Sequence, residues 1–297
     1  MSTQPTPLPD EAPAGLVLTG ERTLPGIADE RYWYLRHVVA YRLAQQRVRA
    51  VRGRGDVRDR AQRSATVDVP VLALDAGCGE GYGLLLLREA GADRVVGVDL
   101  DAPTVAHARG RYAAGTSGIE VQVAELRDID LPDHAAQVTV SFQVIEHLHD
   151  IPGYLDELTR VTAPGGEILL ATPNRLTFTP GSDTPVNPFH TVEFSAEELT
   201  RLLTRAGLRV TEVLGLHHAG AVAASEREHG VVLPRLIGAS APTAWPRWAR
   251  DLVHRTEETD FVWRPDHLDT SLDLLVRCEP HLTAADPAAA NQTEARP

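Results

Sequence analysis

Three groups of residues combine types and spacing that could do chemistry. The first is the run Asp75-Ala76-Gly77-Cys78-Gly79-Glu80-Gly81-Tyr82-Gly83, placed between an apolar stretch and a helical pattern. Glycines at such a junction let the backbone turn tightly and let a ligand lie against it. The second is Asp99, which closes the apolar run Val95-Val96-Gly97-Val98. A carboxylate there faces the switch point of a parallel sheet and can accept both hydrogen bonds of a ribose diol. The third is Glu146-His147 with His190, side chains suited to proton transfer near neutral pH.

Two kinds of cofactor use a glycine loop of this sort. Dinucleotides set a pyrophosphate on the helix N-terminus and favour G-x-G-x-x-G. Here the glycines fall at 77, 79, 81 and 83, and Tyr82 stands where the third fingerprint glycine would fall. Asp75 and Glu80 would also repel a pyrophosphate. S-adenosylmethionine carries no phosphate and has a sulfonium and an ammonium, so an acid-flanked loop suits it, and the methyl donor is favoured over NAD.

The elements around these residues alternate between strand and helix patterns. Strands are expected at residues 69–74, 94–100, 119–123, 137–142, 167–172, 208–214 and 272–276. Helices are expected at 31–50, 83–90, 104–114, 151–161 and 196–206. Pro164-Gly165-Gly166 should end the fourth of these helices. The pattern gives an α/β class with a doubly wound, mostly parallel, seven-stranded sheet, an N-terminal helix and a C-terminal insertion. Residues 1–14 read as a disordered leader, and 15–66 as a helical segment followed by an Arg-rich linker from Val51. Residues 67–280 read as the main domain, with 217–266 as an insertion that caps a site, and 281–297 as a disordered tail. The Pro- and Asn-rich loop 172–194 has no period of its own, and such loops often carry function.

Composition narrows the partners. The chain has 297 residues, 43% of them apolar, which is enough for a packed core. The net charge of -12 disfavours nucleic-acid and anionic-membrane partners. All 29 basic residues are Arg. Two cysteines, Cys78 and Cys278, without a CxxC spacing argue against a disulfide framework or a cysteine-rich zinc site. No signal-peptide core or membrane-length apolar run is present, so a cytoplasmic location is expected.

From residue 69 to residue 214 the motifs resemble class I S-adenosylmethionine-dependent methyltransferases. The resemblance implies that the 77–81 segment, with Cys78, lies along the methionyl part and that Asp99 holds the ribose. It further implies that Leu100, Glu125, Leu126 and Gln143 complete the cofactor site, Glu125 standing where the family usually has an Asp facing the adenine amino group. Further runs are similar to the mycofactocin oligosaccharide methyltransferases of actinobacteria. They are Leu18-Thr19-Gly20-Glu21-Arg22-Thr23, Tyr32-Trp33 with Arg36-His37, Glu80-Gly81-Tyr82-Gly83, Phe142-Gln143-Val144-Ile145-Glu146-His147-Leu148, Thr172-Pro173-Asn174-Arg175-Leu176-Thr177-Phe178, Asn187-Pro188-Phe189-His190-Thr191 and Ser271-Leu272-Asp273-Leu274. That likeness implies O-methylation of a sugar hydroxyl in an oligosaccharide. Residues 51–66 and 219–263 depart from its pattern.

Transfer to a hydroxyl is an in-line displacement in which the proton must leave, so a base or a metal is useful. His190, Glu146 and His147 are the candidates for that chemistry. Some relatives hold a divalent metal on Glu-x-x-Glu-His; here Gln143 replaces the first Glu, so no metal is expected. Two rivals stay open: an O-methyltransferase of a small molecule such as a quinone or polyketide, and a non-catalytic S-adenosylmethionine-binding regulator.

Overall fold

The computed structural model describes residues 23–61 and 70–281. The expected leader at 1–14, residues 62–66 of the expected linker and the tail beyond His281 lie outside the described residues.

The first half alternates strand and helix except between β3 and β4, which follow each other without a helix. β1 (Leu72–Ala76), α2 (Tyr82–Glu89), β2 (Arg94–Asp99), α3 (Ala102–Ala108), β3 (Ile119–Val123) and β4 (Ala136–Phe142) follow the long α1 (Arg31–Ala61). α4 (Ile151–Val161) leads into β5 (Thr162–Pro173), a short α5 (Arg175–Phe178), α6 (Ala196–Arg205) and β6 (Leu208–His218). Then come α7 (Gly220–His229), α8 (Leu233–Gly238), α9 (Arg247–Arg255), β7 (Phe261–Arg264) and β8 (Asp273–Pro280). The sheet order is β3-β2-β1-β4-β5-β8-β6-β7. β1 to β5 pair in parallel, and β8 enters antiparallel between β5 and β6. The order reverses between β1 and β4, so the carboxyl ends of those strands diverge and leave a crevice.

The sheet therefore has eight strands rather than the expected seven. The extra one, β7, comes from the 217–266 stretch and pairs with β6 from Gly215 to His218. Its four residues were too few to show a period of their own. The N-terminal helix also outruns its expected end at Ala50 and continues to Ala61, through the first part of the expected linker. Arg has high helix propensity, and Arg52 is tied to the carboxylate of Asp93 at 2.9 Å, so local preference and a tertiary contact together carry the helix past Gly53. The helix expected at 104–114 is α3 followed by a wider turn at Arg109–Ala113.

Both faces of the sheet are covered, as a parallel sheet requires. One core joins Tyr41, Ala44 and Val48 of α1 to Leu84 and Leu87 of α2. The other joins Tyr154, Leu155 and Leu158 of α4 to Leu199 and Leu203 of α6. A third cluster lies off the sheet, where Tyr32 and Leu35 of α1 pack against Leu233, Ile237, Trp245 and Val253. Arg36 locks that assembly to the sheet, its guanidinium donating to both carboxylate oxygens of Asp273 at 2.6 and 2.5 Å. Among the described residues no helix is long and apolar enough to cross a membrane.

Candidate active site

The glycine loop leaves β1 and is pinned onto β2. The amides of Gly77 and Cys78 both donate to the Val98 carbonyl, at 2.8 and 2.9 Å, and the Gly79 amide donates to Asp99 Oδ2 at 3.0 Å. Asp99 Oδ1 accepts from the Asp101 amide at 3.0 Å, so the loop and the carboxylate form one unit. Gly77 and Gly79 have φ of +88° and +52°, in the left-handed region that favours glycine. A Cβ at Gly77 would stand 2.4 Å from Val144, whereas one at Gly79 would meet nothing within 4 Å. The first glycine permits packing; the second keeps ligand space open.

That space is a cavity of about 700 Å³. Every residue chosen from the sequence for the donor lines it except Asp75 and Gly81, which lie behind the loop. Asp75 is fully buried, and burial pushes its carboxyl up to about 7 even though the Tyr41 hydroxyl donates to Oδ2 at 3.0 Å. Glu80 is in the wall, and burial raises its pKa as well. Among the described residues neither Asp75 Oδ1 nor Glu80 Oε1 has a hydrogen-bond partner. Of the two only Glu80 lines the cavity, and a buried carboxylate oxygen there suits a ligand with N–H groups and positive charge better than a phosphate. Leu100, also in the lining, is 68% exposed, an apolar surface that a flat ring could cover. Glu125 shares that wall, with Oε2 held by Arg127 at 2.5 Å.

A second cavity of about 530 Å³ adjoins the first. Trp33, Phe178, Phe189 and Trp245 give it aromatic walls, and Glu146 and His190 give it polar ones. The 172–194 loop that forms one side is stapled down. Thr191 N donates to Glu146 O at 2.7 Å, and Asn174 Nδ2 donates to Leu268 O at 2.8 Å. Ile237 and Trp245, from the expected cap stretch, form another side.

The three candidate chemical residues cluster between the cavities, Glu146 and His190 lining the second and His147 the first. Glu146 is buried, accepts from Thr172 Oγ1 at 2.9 Å, and has its carboxyl lifted by burial to about 7. His190 sets Nδ1 2.8 Å from Glu193 Oε1 and Nε2 3.0 Å from Asn187 Nδ2, with its ring stacked on Phe178. A proton on Nδ1, donated to the Glu193 carboxylate, leaves Nε2 to accept from the Asn187 amide. His147 directs Nδ1 at the Phe189 carbonyl, 3.0 Å away, and meets the His190 ring edge-on at 4.9 Å. Ligand atoms of Glu146, His147 and His190 lie within 4.8 Å of one another, a spacing that could hold a metal ion.

Four residues border both cavities: Thr23, His37, Gln143 and Phe189. Gln143 has a φ of +57°, rare outside glycine, and its amide donates to Ala171 O at 2.8 Å. Backbone strain of this kind is typical of residues that a surrounding site over-determines. The sequence reading chose Gln143 but not the other three, nor Trp245. Thr23, His37 and Phe189 stood in runs already singled out, yet His37 lies in a helix whose period signals packing. Trp245 sits in a stretch with no period to interpret.

Comparisons with known proteins bear on the family and the fold. A family model for a methyltransferase domain matches residues 74–170. A protein of Mycolicibacterium smegmatis named "Probable S-adenosylmethionine-dependent methyltransferase" is 42% identical over 90% of this chain and 96% of its own. A protein of Mycobacterium tuberculosis with the same description is 40% identical, over 89% of each chain. Among solved structures, the complex between the Haloferax volcanii Trm112 methyltransferase activator and a methyltransferase matches with a TM-score of 0.50 at 20% identity. It covers 78% of this chain and 96% of that one. This last likeness bears on the fold alone.

Proposed function

Because the chain belongs to the S-adenosylmethionine-dependent methyltransferases, and S-adenosylmethionine is its methyl donor, we propose that the acceptor is a sugar hydroxyl of an oligosaccharide such as the mycofactocin glycan. The observation that carries this reading is the second cavity. Rigid aromatic walls set beside buried hydrogen-bonding groups suit the mixed apolar and hydroxylated faces of a sugar. Trp33 is itself backed by Arg36, whose guanidinium carbon lies 5.6 Å from the ring centroid, so that wall is stiffened from behind.

In this reading the first cavity takes the donor. Asp99 accepts from the ribose hydroxyls, the 77–81 loop follows the methionyl chain, and Glu80 faces its positive charge. Leu100, Leu126 and Glu125 meet the adenine. When bound, the donor supplies an electrophilic methyl on a sulfonium. Gln143, held in its left-handed conformation, stands at the passage between the two ligands. His190, fixed by Glu193 and Asn187, orients the acceptor, with Glu146 and His147 forming the adjoining wall. Residues 217–266 serve as the cap over the acceptor. No metal is invoked, since Gln143 stands where the Glu-x-x-Glu-His pattern has its first acidic ligand.

The test is incubation of the enzyme and labelled S-adenosylmethionine with fractionated cell extract lacking the gene product. Label entering a neutral oligosaccharide as one added methyl per chain supports the proposal, and label confined to lipid-soluble quinones sinks it. The quinone alternative has one observation in its favour. Val186 and Phe189, on the wall of the second cavity, are 68% and 52% exposed and could receive an apolar acceptor.

A further inference from the structure

We propose that Glu80 is the carboxylate that takes the α-ammonium of the methyl donor, and that His107 and Tyr112 are positioning residues that brace it, a role that rests on the reading of the first cavity as the donor site. Four carboxylates line that cavity: Glu80, Asp99, Glu125 and Asp150. Asp99 accepts from the Gly79 and Asp101 amides. Glu125 and Asp150 are about half exposed, and Arg127 holds both. Glu80 is 1% exposed, and among the described residues its Oε1 has no hydrogen-bond partner. A buried carboxylate oxygen without a donor costs free energy that a cationic N–H removes.

The other carboxylate oxygen is braced from the end of α3. His107 Nε2 lies 3.2 Å from Glu80 Oε2, and the Tyr112 hydroxyl donates to the same oxygen at 3.3 Å. Residues five apart do not share a face of a regular α-helix. Here the chain widens after Ala108, where the Ala114 amide donates to the Arg109 carbonyl at 2.8 Å instead of to residue 110. The widened turn brings His107 and Tyr112 onto one oxygen, and such turns are frequent at functional sites. Gly81 permits the approach. Its φ is +98°, and a Cβ there would stand 2.8 Å from the Ala108 Cβ and 3.0 Å from the Tyr112 ring. Any other residue would push the end of α3 off the loop.

The charges around Glu80 fit the role. Burial raises its carboxyl above the ordinary value, while His107, Tyr112 and the Arg111 cation pull it back down. The other ionisable groups that feel it are Tyr34 on α1, Cys78 in the glycine loop and Tyr82 at the start of α2. Burial pushes all three upward, so they stay neutral. His107 and Arg111 therefore supply the positive side. The sign follows. At low pH Oε1 or Oε2 carries a proton and attracts the ammonium weakly, so donor affinity rises with pH as that proton leaves. Without His107 the carboxyl climbs further, and the rise moves to higher pH.

The experiment titrates two ligands calorimetrically: S-adenosylhomocysteine, which carries the same ammonium, and its analogue with hydrogen in place of the α-amino group. The proteins are the wild type, Glu80→Gln, His107→Ala and Tyr112→Phe. Glu80→Gln should weaken S-adenosylhomocysteine about tenfold or more and leave the analogue within about twofold, as the loss of a hydrogen bond between charged groups requires. Between about pH 5.5 and about pH 7.5 the ligand keeps its own ammonium, since an α-amino group titrates near 8. Over that range wild-type affinity for S-adenosylhomocysteine should rise with pH, and that of Glu80→Gln should stay flat. His107→Ala should bind on the order of tenfold more weakly than wild type at about pH 5.5, with the gap narrowing toward about pH 7.5. Tyr112→Phe should shift the profile the same way by a smaller factor.

An equal loss for both ligands in Glu80→Gln overturns the assignment of Glu80, as does no loss for either. A His107→Ala penalty that does not change with pH belongs to a merely structural residue and overturns its positioning role, and so does wild-type affinity at the low end of the range. If His107→Ala does not fold, Tyr112→Phe carries the same test, and an absent or pH-independent effect there overturns the proposal. Asp99→Ala separates this inference from the reading beneath it. Unchanged affinity in that variant takes the donor out of the first cavity and overturns both, whereas weakened binding by Asp99→Ala beside an unaffected Glu80→Gln overturns the role of Glu80 alone.

Discussion

The two cavities, proposed to take donor and acceptor, share a wall of four residues but are built in different ways. The donor side is largely the product of one stretch of chain. Gly77, Asp99, Glu125 and Gln143 follow one another along the alternating strands, and each sits at a strand's carboxyl end or in the loop just beyond it. The acceptor side is assembled from segments far apart in sequence: Trp33 on α1, His190 in the loop after β5, and Trp245 before α9. Local geometry of the sheet edge suffices for the first. The second exists only if α1, α8 and α9 dock on one another and on β8. Donor chemistry is therefore expected to survive damage that disables acceptor recognition.

The largest predicted effect probes that docking. Arg36→Ala leaves Asp273 as an unpaired charge, 1% exposed, and should cost about 3–5 kcal/mol of stability in denaturant unfolding. The double variant with Asp273→Ala should be less unstable than Arg36→Ala alone. S-adenosylmethionine binding by the folded fraction should persist in both. Loss of donor affinity in step with stability would break the division between the two halves.

The converse variant is Asp99→Ala. It removes the carboxylate that braces Gly79 and is assigned to the ribose, so donor affinity should fall by roughly 2–4 kcal/mol, the scale of two charge-assisted hydrogen bonds. Calorimetric titration measures this. An unchanged affinity would remove Asp99 from the donor site.

Glu146→Gln sharpens the comparison through pH. Burial lifts the Glu146 carboxyl from its ordinary 4.5 to about 7, so the folded protein favours its protonated form. Stability from this group is fully present below about pH 4.5 and is lost as pH rises through 7, up to about 3 kcal/mol in all. The Gln variant keeps a neutral group there and should melt higher than wild type at pH 8 and no higher at pH 4. Asp75, lifted to about 7 in the same way, contributes a fall of the same sign that this variant leaves in place. Equal melting temperatures of variant and wild type at pH 8 would contradict the buried, uncharged state of Glu146.

His190 should matter less than its place suggests. With both ring nitrogens held by protein groups, His190→Asn is expected to turn over within a few-fold of wild type. A loss beyond about a hundredfold, the range of a proton-transferring group, would make His190 the base. The smallest effect is expected from chelation, which should leave turnover unchanged. Loss on chelator treatment with recovery on Mg²⁺ or Zn²⁺ would instead place an ion on Glu146, His147 and His190.

The same contrast explains what could be read in advance. The run Asp75 to Gly83 with Asp99 declared the donor side because a tight turn, a close ligand and a strand-end carboxylate are local demands, met by residue type at fixed spacing. The alternation of apolar runs and helical periods gave the doubly wound sheet for the same reason. Glu146, His147 and His190 could be named from residue type, but not the contacts that occupy them: Glu193 and Asn187 reach His190 only once the loop is folded. β7 and the extension of α1 to Ala61 escaped because four residues show no period and because Arg-rich sequence is compatible with both a helix and a solvated linker.

By itself, then, the sequence determined the cofactor and the class of reaction, both of which follow from short-range constraints on backbone and charge. Only the tertiary structure decided what lines the second cavity, proposed to take the acceptor. His37, Trp33 and Trp245 carry no local mark of that duty, because their positions depend on how one long helix packs against segments some two hundred residues away. The free energy that fixes such packing is nondirectional burial, which leaves a period in the sequence but no record of which partner it meets.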